Sequence, residues 1–117
     1  MGRAVTGTAL RVEVDSADAV RRAVVAARAA GKSLVLESPP GAAGWQGIGW
    51  WRELVALARA EAPELDITAV LDCGEAPGLA LAALKAGCGR VRVVADGAAL
   101  AALVALAPGL GGEVLAR

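Results

Sequence analysis

The chain has 117 residues and a mass of 11.6 kDa, enough for one domain over 1–117. It is 56% hydrophobic but only 3% aromatic, with no Phe or Tyr, so buried apolar area must come mainly from Ala, Leu and Val. Twelve basic and twelve acidic residues cancel, which leaves no whole-molecule field to gather nucleic acid or an anionic membrane.

Missing residue types exclude several chemistries. Without histidine there is no imidazole base, no histidine zinc ligand and no Ser/His or Cys/His nucleophile pair. Cys73 and Cys88 are too few for a four-thiolate metal site and do not make a secreted disulfide framework, so a reducing cytoplasm is expected. Met1 to Arg11 contains no continuous apolar stretch of the kind a secretory leader needs. Between Arg92 and Glu113 the only charge is Asp96, but Gly97, Pro108 and the glycines after it break this stretch well below the about 20 residues that span a bilayer. Neither a membrane nor a nucleic acid is an expected partner.

In chain order, residues 9–14 alternate apolar and charged, as a half-exposed strand does. Asp15 and Ser16 offer an N-cap to a helix that runs to Ala30 and stops at Gly31. Residues 34–36 form a short apolar strand ending at Glu37. A loop of about twelve residues, longer than the usual two to six, then leads to a helix over 50–61 that Pro63 ends. Residues 67–71 read as a third strand closing on Asp72, and Pro77 opens a third helix that Gly87 ends. A fourth strand over 90–95, a helix over 98–107 capped by Asp96, and a short fifth strand at 113–115 complete the chain.

Alternating strands and helices predict an α/β fold of four or five mostly parallel strands and four helices. Strand parity refines this. One face carries Leu10, Val12, Leu34, Leu36, Ile67, Ala69, Leu71, Val91 and Val93, whereas the other mixes Arg11, Glu13, Glu37, Thr68, Asp72 and Arg92. One apolar face favours sequential strand order with all helices on one side, half of a (β/α)8 barrel. The alternative is a small doubly wound open sheet of the flavodoxin or receiver type.

The segments 76–87 and 98–107 carry one charge, Lys85, between them. Helices without a polar side must be covered, so homodimerisation through them is expected.

Four carboxylates, Asp15, Glu37, Asp72 and Asp96, share one parity at predicted strand C-termini, where parallel α/β folds bind ligands. Together they are candidates for acid/base work or for Mg²⁺; plain helix capping is the competing explanation. Residues 38–52 hold every aromatic in the chain. Trp45, Trp50 and Trp51, the glycines Gly47 and Gly49, and Arg52 are candidate binding residues, with a small anionic molecule as ligand. No phosphate-loop or dinucleotide fingerprint is present, and no cofactor is evident.

Leu71-Asp72 followed by Ala76-Pro77-Gly78 resembles the phosphoacceptor region of response-regulator receiver domains. The acidic pair of that family is reduced to Asp15, and no lysine ends a fifth strand, so phosphorylation is not implied. The leading expectation is a self-associating binding or interaction module whose site lies in the 38–52 loop above the strand C-termini. The second is a small carboxylate-dependent enzyme acting on an anionic metabolite.

Overall fold

A computed structural model describes residues 9–116; most of the segment read for a leader lies outside them. Five parallel strands form one open sheet in the sequential order β1-β2-β3-β4-β5. They are β1 (Leu10–Glu13), β2 (Leu34–Glu37), β3 (Ile67–Asp72), β4 (Arg90–Val93) and β5 (Glu113–Ala116). The helices between them are α1 (Ala17–Ala30), α2 (Ala42–Trp45), α3 (Ile48–Glu61), α4 (Pro77–Lys85) and α5 (Gly97–Leu106), the last followed by a 3-10 turn at Ala107–Leu110.

The core follows the parity of the strands. Leu34, Leu36, Leu71, Val91 and Val93 are fully buried and join Val20 and Val24 of α1, Trp51 and Ala58 of α3, Ala80 and Leu84 of α4, and Leu103 of α5 in one cluster. Right-handed crossovers in sequential order place successive helices on the same side of the sheet, and that is where this cluster sits.

The opposite face carries Arg11, Glu13, Glu37, Thr68, Arg90, Arg92 and Glu113. Val35 and Val70 on this face are nonetheless buried, at 9% and 1% exposure. Arg11 is the register neighbour of Val35 and Arg90 that of Val70, and arginine is a side chain whose methylene stem covers apolar atoms while its head stays wet.

Two local readings need correction. The stretch 38–49 is not one long loop: α2 forms within it, and α3 begins at Ile48 rather than Trp50. Gly41 and Gly47 adopt φ of 69° and 99°, values open to glycine, and these two turns let a short helix fit where a glycine-rich sequence suggested none. The capping roles also differ. Ser16 accepts a hydrogen bond from Ala19 N at 3.1 Å and caps α1, leaving Asp15 exposed, and Asp96 occupies the α5 N-cap position without a side-chain cap bond.

Among the described residues no helix is long and apolar enough to cross a membrane.

Candidate functional site

At the strand C-termini the turns after β2 and β3 are braced to each other. Asp72, at 3% exposure, ends β3, and its Oδ1 accepts hydrogen bonds from Gly41 N at 2.8 Å and Gly74 N at 2.9 Å. Its own backbone N–H donates to Ser38 Oγ at 2.8 Å. This carboxylate therefore ties the turn after β2 to the turn after β3, with its charge turned toward backbone amides.

Glu37, the second candidate, is held by cations. Arg11 and Arg92 both donate to its Oε2, Arg92 at 3.3 Å. Burial pushes the Glu37 carboxyl up, but hydrogen bonds from Arg11 and then Arg92 outweigh it and hold the group below the ordinary carboxylate value. Asp15 and Asp96 are exposed. Among the described residues no group of three or more His, Cys, Asp or Glu is placed to hold a metal ion.

The three tryptophans separate. Trp45 stands out at 59% exposure on α2, with its indole N–H donating to Pro40 O at 3.1 Å. Trp51 is 1% exposed in the core, and Trp50 packs on it with ring centroids 5.9 Å apart. Gly47 forms the N-cap of α3 and Gly49 its first turn. The 38–52 segment is thus partly structural and partly displayed.

A cleft that the sequence does not reveal lies between α3 and the end of α4. It has a volume of about 430 Å³ and is lined by Trp51, Arg52, Val55, Ala56, Arg59, Gly87 and Cys88. Such a volume suits a small ligand. A second cavity of about 340 Å³ reaches from Arg59 and Cys88 to Arg90, Gly111 and Glu113 at the strand N-termini. Arg52 was singled out for its position after the glycines; Arg59 was not. The available signal was spacing, since residues 52, 55, 56 and 59 share one stripe of a helix.

Both cysteines are free. Burial, then the charge of Asp72, pushes the Cys73 thiol up to about 12, and burial raises Cys88 against the opposing charge of Arg52. Neither thiol is set up as a nucleophile at neutral pH.

No protein-family model matches this sequence, and no curated protein matches it significantly.

Proposed function

We propose that the protein is a self-associating interaction module of the reducing cytoplasm, paired as a homodimer through its α5 side. The observation that carries this is the run Gly97–Gly112, which holds no charge at all. Within it Val104, Leu106 and Leu110 are 52%, 49% and 36% exposed, while α5 buries only Leu103. An uncovered apolar surface at the edge of a domain calls for a partner.

A second copy of the chain is the occupant that fits. In a two-fold contact each residue meets the same patch on its partner, so a charged patch would repel itself; this one carries nothing to repel. Trp45 lies away from α5 on the α2 side and remains available as an aromatic anchor for another partner. The free cysteines suit a reducing compartment.

Light scattering on the eluting protein tests the pairing with two variants. Val104→Glu places a charge in the contact and should weaken the dimer on the order of 100-fold. Val25→Glu changes a still more exposed valine on α1, at 65%, and should leave the dimer intact. Equal behaviour of the two variants, or a monomeric parent protein, contradicts the proposal.

A further inference from the structure

The cleft between α3 and α4 has the makings of a site independent of any dimer contact. α2 packs against both α3 and α4, and the cleft opens between α3 and the end of α4. Its α3 wall is a single stripe in which Val55 and Ala56 lie between Arg52 and Arg59. These two arginines are two helical turns, or about 10 Å, apart, a span that two arginine side chains can close over one head group.

Both arginines are exposed, and neither forms a salt bridge among the described residues. Arg59 makes only a 3.4 Å hydrogen bond to Ile67 O. The arginines of the polar sheet face differ: Arg11, Arg90 and Arg92 are each paired with a glutamate. Arg52 lines the cleft opposite Cys88 and lies within electrostatic reach of its thiol.

The same cleft wall holds an unused donor. The Trp51 indole Nε1 is fully buried and has no hydrogen-bond partner among the described residues, although Trp51 lines the cleft. Buried polar groups are paired in the great majority of cases. The cleft is thus lined by two guanidinium groups without an ion-pair partner and by a tryptophan whose N–H has no acceptor among the described residues.

We infer that this cleft binds a small amphipathic organic anion, a carboxylate or phosphate monoester on a compact apolar body. Arg52 and Arg59 hold the head group in charge-assisted hydrogen bonds, the Trp51 indole N–H supplies the buried donor, and Val55 and Ala56 receive the apolar part.

The three indole N–H signals in a ¹⁵N-labelled sample of the full chain give a direct readout, assigned by Trp→Phe variants at 45 and 50. Benzoate and phenyl phosphate are the probes, and benzyl alcohol is the neutral control. The expected result is a saturable shift of the Trp51 indole signal with at least one anion at millimolar concentration, the tighter anion identifying the preferred head group. Arg52→Gln and Arg59→Gln change exposed side chains outside the core and should each weaken that binding by about tenfold. No shift with either anion up to about 10 mM overturns the inference. So does an equal shift with benzyl alcohol, or binding unchanged in both variants.

Discussion

The Arg92 guanidinium on β4 reaches over β3 to the Glu37 carboxylate on β2, 3.3 Å away, and Val70, in register with Glu37, is only 1% exposed. An ion pair thus roofs an apolar side chain on the otherwise open face of the sheet. Because Glu37 is held below its ordinary value of 4.5, its contribution to stability is present above that pH and is lost as pH falls through the lower, folded-state value. Denaturant midpoints measured from about pH 6 to about pH 3 should fall with acid in the parent protein and fall less steeply in Glu37→Gln. An unchanged acid limb in the variant counts against this role.

Asp72 is a brace. Truncation in Asp72→Ala strands the amides of Gly41 and Gly74 in a site that is 3% exposed at its centre, and should cost about 2–4 kcal/mol of unfolding free energy. Asp72→Asn keeps an acceptor oxygen and should lose less than half as much. Urea titration of both variants separates this brace from a catalytic carboxylate, whose removal leaves stability unchanged or raised.

Strand order and sheet faces were legible in the sequence because parity is a local property. Leu34 and Leu36 against Glu37, or Val91 and Val93 against Arg92, announce which side is wet without reference to any neighbour. The α3 cleft was not legible in the same way. Arg52 and Arg59 belong to one helix, but Gly87 and Cys88 arrive from the end of another, and only tertiary packing makes a cavity of them. The tryptophans divide for a similar reason: the sequence sets Trp50 and Trp51 at the start of a helix after the loop that carries Trp45, but the burial of Trp51 in the core and the display of Trp45 depend on how α2 and α3 pack. Glycine-rich sequence hid α2, since Gly41 and Gly47 mark the ends of a helix as readily as they mark a loop.

Gly112 tests the seating of the last strand. A Cβ there would run into the carbonyl oxygen of Gly89 and come within 2.6 Å of Leu84 Cδ2, and the backbone oxygen cannot move aside cheaply. Gly112→Ala should therefore lower stability by about 1–3 kcal/mol. Gly109→Ala, with open space around the new methyl, should change it by less than about 0.5 kcal/mol. Thermal melts of the pair check the difference.

Cys73 should be inert while the protein is folded. At 2% exposure, with its thiol pushed up to about 12, it presents almost no thiolate at pH 8. An aromatic disulfide reagent should modify it only at the rate of unfolding, and both cysteines rapidly in denaturant. Fast native labelling of Cys73, located by peptide mass, would contradict its placement in the core.

Pairing through α5 is the central claim, and native mass spectrometry over a dilution series tests it most directly. The account predicts an assembly of twice 11.6 kDa in the micromolar range that dissociates on dilution, and a monomer for Val104→Glu under the same conditions. A parent protein that remains at 11.6 kDa at every concentration would contradict it.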